Sequence, residues 1–148
     1  MKSIFNPTDN AEFIERIGKL TPTTPALWGK MNVSQMMAHC QVPIKIAFGE
    51  LEAKGNLFGL LFGRLAKKKL LGDKPFKRNL PTLKEGVIKD ERNFDSEQLR
   101  LVNDVKRFAA GSVVITKKPH PFFGPMTVDE WDKLHSKHLD HHLKQFGV

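Results

Sequence analysis

Four of the six histidines in this chain fall within one stretch, residues 128–147, which has the pattern of a single helix. They are His135, His138, His141 and His142. His138 and His142 are four residues apart, so both lie on one helix face and both imidazoles can reach the same metal ion. A third ligand must come from elsewhere, and His39 lies on a separate predicted helix. The spacing therefore predicts a metal-binding helical bundle.

Four main helices are predicted from hydrophobic periodicity and from capping residues. They span residues 9–19, 32–47, 96–110 and 128–147. The start signals are Asp9, Asn32, Asp95 and Thr127, each followed three residues later by Glu or Gln. The long connection between the second and third helices is expected to be irregular. Residues 57–71 within it have an amphipathic pattern that two glycines weaken.

The inner stripe of the last helix carries most of its histidines. The residues that share this arc are Trp131, Leu134, His135, His138, His142 and Gln145. The opposite, solvent-facing arc is predicted to hold Asp132, Lys133, Ser136, Lys137, Asp140 and Lys144. Buried imidazoles need a partner for each ring nitrogen, and a metal ion satisfies one nitrogen on each ring.

A site of three neutral imidazoles suits a borderline divalent ion. Zn²⁺ and Ni²⁺ are the ions expected, with Fe²⁺, Co²⁺ or Mn²⁺ as alternatives. Three protein ligands leave one coordination position open, as in catalytic sites. An ion held in this way can acidify a bound water or hold a thiolate ready as a nucleophile.

Other interpretations of these residues stay open. A single buried histidine such as His39 is more often a hydrogen-bonded core residue than a ligand, and His135 could line a pocket or replace a ligand. His141 is expected at the surface or in support of the ligands, and His120 at a structural position or a pocket rim. Cys40 is most simply a buried core residue. Trp28 and Trp131 are read first as core aromatics and second as pocket walls.

The composition limits the classes of protein that fit. The 148 residues are 40% hydrophobic, which predicts one globular domain over residues 1–148. The single cysteine allows no disulfide within the chain, which favours a reducing, cytoplasmic setting. We find no secretory signal pattern and no apolar run long enough to span a bilayer.

The net charge of +8 is concentrated in the basic run of residues 64–78. We interpret this run as a solvated connection with a basic face. Nucleic-acid and membrane partners are disfavoured, because no recognition motif accompanies the charge and the glycines weaken an amphipathic helix. Phosphate-loop, dinucleotide-binding, CxxC, GxSxG and HExxH motifs are absent from the sequence.

Two segments give the chain a family resemblance. They are WGKMNVSQMMAHC at residues 28–40 and EWDKLHSKHLDHHLKQFGV at residues 130–148, with HPFFG at residues 120–124 as a weaker match. On these segments the chain resembles the DinB-like (YfiT-type) superfamily, closest to a branch described only as a domain of unknown function. The resemblance implies an all-α four-helix bundle, often dimeric, with a metal site of three histidines. Carried over by position, the ligands are His39, His138 and His142.

Characterised relatives in that superfamily include metal-dependent thiol S-transferases and a thiol-dependent isomerase. The leading hypothesis is therefore a metal-dependent transferase or hydrolase that uses a small thiol or water as nucleophile. The residues expected to line its pocket are His135, Gln145, Trp131 and Gln35. The alternative is a non-catalytic metal-binding or dimeric interaction module. A homodimer is expected, with residues 57–65 as the candidate surface.

Overall fold

The computed structural model describes residues 2–53, 57–116 and 119–148. It contains five α-helices: α1 (Pro7–Gly18), α2 (Val33–Ala47), α3 (Leu57–Leu70), α4 (Phe94–Arg107) and α5 (Val128–Gln145). Short 3-10 turns occur at Lys84–Gly86, Phe108–Ala110 and Ser112–Val114. No strand occurs within the described ranges, so the all-α prediction is confirmed. Five helices are described where four main helices were expected, because the amphipathic pattern at residues 57–71 in the connection after α2 does form a helix, α3.

The helix starts show how well capping residues locate a helix. The capping boxes of Asn32 with Gln35 and of Thr127 with Glu130 are both formed, as predicted. Helix α1 begins two residues before the predicted position, because the Asn6 side chain accepts hydrogen bonds from the first backbone N–H groups. The Asp9 carboxylate, expected as the cap, instead accepts a hydrogen bond from the Ser3 N–H.

Helix α4 was also predicted slightly too late in the chain. The Asn93 side chain caps it, where Asp95 was expected, and the helix ends at Arg107. A 3-10 turn carries the chain from there to Gly111, whose φ of +81° favours glycine. Pro43 lies inside α2 as expected, and Gly147 follows α5 with φ +78°.

Four helices enclose the core. Helices α1 and α2 each contact both α4 and α5, so the order around the core is α1, α4, α2, α5. The most deeply buried apolar side chains come from all four helices and from the N-terminal segment. They include Ile4, Phe13, Ile17, Met36, Met37, Leu101, Val105, Phe108, Leu139 and Leu143.

Helix α3 and the segment after it are attached to α5 by two lysines. The Lys67 ammonium pairs with Glu130 at 2.9 Å and donates to the Pro125 carbonyl. The Lys137 ammonium donates to three backbone carbonyls, those of Leu70, Gly72 and Lys74. Lys137 is therefore buried, although it was predicted on the solvent-facing arc of the last helix.

Ser136 is a second error in that arc, because its hydroxyl accepts a hydrogen bond from the Ile4 N–H in the core. The N-terminal segment packs over this part of α5, which helical periodicity within α5 could not show. The side chains of residues 57–62 and 64, which form most of the expected dimer surface, lie outside the described residues. None of the described helices is both long and apolar enough to cross a membrane.

Asn10 gives a test of this packing. Its buried amide donates to the carbonyls of Ile4 and Val105, both at 2.8 Å, which joins the N-terminal segment, α1 and α4. We expect Asn10→Ala to lower the free energy of unfolding by about 1–3 kcal/mol, because buried hydrogen bonds are lost. Urea denaturation measures this. The matched control Thr8→Ala, at an exposed position of α1, should change it by no more than about 0.5 kcal/mol. Equal effects would contradict the assigned role of Asn10.

Candidate metal centre

The structure brings His39 of α2 together with His138 and His142 of α5. Each imidazole offers one nitrogen, and the three nitrogens lie within 4.8 Å of one another. His39 Nε2 and His138 Nε2 are 3.1 Å apart. The ring centroid of His142 lies 4.6 Å from that of each of the other two. We call these three residues the histidine triad.

The orientation of His39 is set by the connection between α3 and α4. Its Nδ1 lies 2.7 Å from the carbonyl oxygen of Gly86, at the end of the Lys84–Gly86 turn. Because a carbonyl only accepts, Nδ1 carries the proton and Nε2 keeps a free lone pair. A Cβ on Gly86 would lie 3.3 Å from His39 Nδ1 and 2.6 Å from Thr82 Oγ1. Glycine therefore permits this close approach of backbone and ring.

The orientation of His142 is set by Gln145 through the same kind of bond. The Gln145 amide nitrogen donates to the Trp28 carbonyl at 2.7 Å, which leaves Oε1 directed at His142. His142 Nδ1 lies 2.8 Å from that oxygen and must be the donor. A Cβ on Gly29 would lie 2.5 Å from the amide nitrogen, and φ there is +85°. The free lone pair of His142 is therefore again on Nε2.

The environment keeps all three rings neutral. Burial lowers the pKa of His39, and it lowers the pKa of His142 to about 3. The pKa of His138 lies well below its ordinary value because of burial and the neighbouring imidazoles. Neutral imidazoles are the form that binds a metal ion, so protons compete weakly for this site at neutral pH.

The triad could hold a metal ion, and its donor set fits one. Two Nε2 atoms 3.1 Å apart must share either a proton or an ion. With metal–nitrogen bonds of about 2.0–2.1 Å, that separation corresponds to an angle of about 100° at the ion, near the tetrahedral value. Imidazole nitrogens suit Zn²⁺, Ni²⁺, Co²⁺ and Fe²⁺, and three of them leave a coordination position for another ligand.

A cavity of about 500 Å³ lies beside the triad. Its lining residues are Trp28, Asp73, Pro75, Phe76, Arg78, Lys137, Asp140, His141 and Lys144. The Phe76 ring centroid is 6.5 Å from that of His138, and the His141 centroid is 5.0 Å from that of His142. Phe76 and His141 therefore form the wall that the cavity shares with the triad. His141 was expected either at the surface or in support of the ligands. It is half-buried beside His142, which matches the second of these positions.

The four residues expected to line a pocket have different positions. Gln145 contacts the triad, as a partner of His142 rather than as a cavity wall. Gln35 completes the α2 capping box and donates to the Asp90 carbonyl. His135 and Trp131 are buried in an aromatic cluster and do not line the cavity. Cys40 is buried, and burial raises the pKa of its thiol, which fits the core role expected for it.

The aromatic cluster consists of Phe108, His120, Trp131 and His135. The rings of Trp131 and His135 are stacked with centroids 5.7 Å apart, and His120 lies 5.2 Å from Trp131. His120 Nδ1 accepts hydrogen bonds from two backbone N–H groups, which gives it the structural role expected from the sequence. Both ring nitrogens of His135 lack a hydrogen-bond partner among the described residues.

Sequence reasoning missed the residues that orient the ligands. Gly86 lies in the irregular connection, where no periodic pattern marks it, and Trp28 acts through its backbone carbonyl, which has no sequence signature. The spacing of Gln145, three residues after His142, was the one available signal. It placed Gln145 on the correct face of α5 without showing its bond.

Gln145→Leu should weaken Zn²⁺ binding about 10–100-fold, because the partner that holds the Nδ1–H tautomer of His142 is removed. A competition titration against a zinc-binding dye measures the affinity. The control is Gln98→Leu, which removes comparable hydrogen bonds to the Ile17 and Leu20 carbonyls far from the triad. Equal Zn²⁺ affinities in the two variants would contradict the role given to Gln145.

The aromatic cluster predicts a pH dependence of stability. Burial lowers the pKa of His135 to about 3, from 6.5 for an ordinary histidine. Between these values the unfolded chain binds a proton that the folded chain does not, so stability falls as the pH drops from about 6.5 towards 3. We would measure the urea midpoint of both proteins without metal. On acidification it should decrease less in His135→Phe than in the parent protein. Identical pH profiles would contradict this prediction.

Comparison with known proteins gives one family. The family model described as "Protein of unknown function (DUF1569)" matches residues 4–147. No curated protein and no solved structure matches the chain. The match spans nearly the whole sequence, including all three histidines of the triad and the residues that orient them. The chain therefore belongs to the DUF1569 family of proteins of unknown function.

Proposed function

We propose that this protein binds one divalent metal ion through Nε2 of His39, His138 and His142. The observation that carries the proposal is the pair of hydrogen bonds that fixes two of these rings. Gly86 and Gln145 each accept from an Nδ1–H, so the Nε2 lone pairs of His39 and His142 are left free. Hydrogen-bonded Nδ1–H groups of this kind are typical of histidines that bind metal ions. Zn²⁺ or Ni²⁺ is the expected ion.

We further propose that the protein is a DinB-like enzyme, a metal-dependent small-thiol S-transferase or a hydrolase. A divalent ion held by His39, His138 and His142 would supply a positive charge that lowers the pKa of a thiol or a water molecule. In the transfer reaction, the thiolate sulfur forms a bond to an electrophilic carbon of the second substrate. The leaving group departs with its bonding electron pair, and the thiol proton goes to solvent. In hydrolysis, water takes the place of the thiol.

The cavity supports an enzymatic function. It lies directly beside the triad, and its volume of about 500 Å³ is within the usual range for small-molecule sites. The aromatic rings of Trp28 and Phe76 line it and can pack against the apolar part of a substrate. Phe76 is held in place by Lys137, whose ammonium lies 5.1 Å from its ring centroid.

The second candidate function is a non-catalytic metal-binding module that acts as a homodimer. The observation in its favour is that no triad residue lines the cavity, because Phe76 and His141 stand between them. Leu65 of α3 is 70% exposed, which leaves an apolar side chain available for a partner. Light scattering that shows a monomer at micromolar concentration would remove the dimer from this proposal.

Metal analysis tests the site itself. We expect about one equivalent of Zn²⁺ or Ni²⁺ by mass spectrometry in protein purified without a histidine tag and reconstituted. His138→Ala should lose most of this metal, because two imidazoles are left. The control His135→Phe removes a histidine from the same helix and should retain it. Equal metal content in these two variants would show that the triad is not the metal site.

Activity separates the two candidate functions. For the transferase we would follow the conjugation of N-acetylcysteine to 1-chloro-2,4-dinitrobenzene, and for the hydrolase the cleavage of p-nitrophenyl acetate. The enzyme proposal expects at least one rate to require both added metal and His138. Full metal occupancy with no rate above that of the His138→Ala variant would favour the non-catalytic module.

A further inference from the structure

We propose that Arg78 binds the acidic group of a small molecule in the cavity beside the triad, with the flat part of the ligand packed against Trp28 and Phe76. The inference rests on the proposed function, because the same ligand would extend towards the metal site. It adds the chemical class of the ligand: an anion with an aromatic or otherwise planar apolar body.

Arg78 is positioned to bind an anion. Its guanidinium carbon lies 4.3 Å from the ring centroid of Trp28, so the group is held against the indole at the cavity wall. Arg78 is exposed, and no carboxylate of the described residues forms an ion pair with it. A stacked guanidinium keeps its N–H groups in plane at its edge, where they can bind a carboxylate or phosphate through two parallel hydrogen bonds.

The other charged groups of the cavity are already paired. Lys137 donates to three backbone carbonyls, and the charge of Asp73 stabilises its ammonium. Lys144 pairs with Asp140 at 2.7 Å, and Asp140 also binds Arg16 at 2.9 Å. Among the cations that line this cavity, Arg78 is therefore the one with neither a hydrogen bond nor an ion pair in the described part of the chain.

The electrostatics of the triad favour the same ligand. Three neutral imidazoles leave the charge of a divalent ion uncompensated, since no carboxylate belongs to the triad. Arg78 lies over Trp28, whose ring centroid is 5.7 Å from that of His141, the residue that forms part of the shared wall. An acidic ligand in this cavity would thus lie beside Arg78, and a divalent ion held by the triad would add a second positive charge on the other side of the shared wall.

Benzoate and phenyl phosphate are suitable probes, because each joins one planar ring to one acidic group. We would measure their dissociation constants by tryptophan fluorescence titration and by ligand-detected NMR, with metal-free and Zn²⁺-loaded protein. Arg78→Gln should weaken benzoate binding at least about tenfold, since a charged hydrogen-bonded pair is lost. Benzamide should bind at least about tenfold more weakly than benzoate. The probe with the lower dissociation constant shows whether the cavity prefers a carboxylate or a phosphate.

The matched control is Lys77→Gln, which removes the same charge at a neighbouring exposed position that does not line the cavity. It should leave the benzoate dissociation constant nearly unchanged, because Lys77 does not line the cavity and is not expected to contact the ligand. Equal effects of the two substitutions, or equal affinities for benzoate and benzamide, would overturn the inference. If Zn²⁺ binds but Arg78→Gln has no specific effect, this inference fails and the proposed metal site stands. If Arg78-dependent binding occurs and Zn²⁺ does not bind, the metal site fails and the anion site stands.

Discussion

Two hydrogen bonds determine what the triad can do: His39 Nδ1–H to the Gly86 carbonyl and His142 Nδ1–H to the Gln145 amide oxygen. A neutral imidazole has one proton, so fixing it on Nδ1 leaves the lone pair on Nε2. Without these acceptors either ring could carry its proton on Nε2 and present a donor to its neighbours. The acceptors thus leave the Nε2 lone pairs of two of the three histidines, His39 and His142, free for a metal ion.

Those acceptors depend on parts of the chain far from α5 in sequence. Gly86 belongs to the connection between α3 and α4, and Gln145 is held by the backbone at Trp28. Lys137 holds the segment after α3 through three carbonyls, and this segment leads to Phe76 at the cavity wall. The irregular connection is therefore part of the site, since it supplies a partner for His39 and walls for the cavity.

The helices were predictable because their signals are local. The capping boxes at Asn32 and Thr127, and the i, i+4 spacing of His138 and His142, each depend on a few consecutive residues. Errors arose where a distant segment changed the environment, as at Ser136, which the N-terminal segment covers, and at Lys137, which binds the end of α3. A helical wheel shows on which face of a helix a residue lies, but it does not show which distant segment contacts that residue.

The candidate site was predictable to a similar extent. Helical spacing paired His138 with His142, and only a family resemblance added His39, because a contact between α2 and α5 leaves no mark on local sequence. His135 and Trp131 lie on the predicted stripe, yet they are nearer the N-terminus of α5 than the triad and pack among aromatic rings there. Periodicity gives the face of a helix but not the depth along it at which a site lies. Gly86 could not be predicted, because a backbone carbonyl acts at that position.

The most direct test of this account is the tautomeric state of the histidines, measured by long-range ¹H–¹⁵N NMR on protein with ¹⁵N-labelled histidine. Because Gly86 and Gln145 accept from these rings, His39 and His142 should carry the proton on Nδ1 at neutral pH in the metal-free protein. Addition of Zn²⁺ should then change the Nε2 shifts of all three triad histidines while His39 and His142 keep their Nδ1 protons. Protons on Nε2 of His39 and His142 that persist when Zn²⁺ is added would contradict the account.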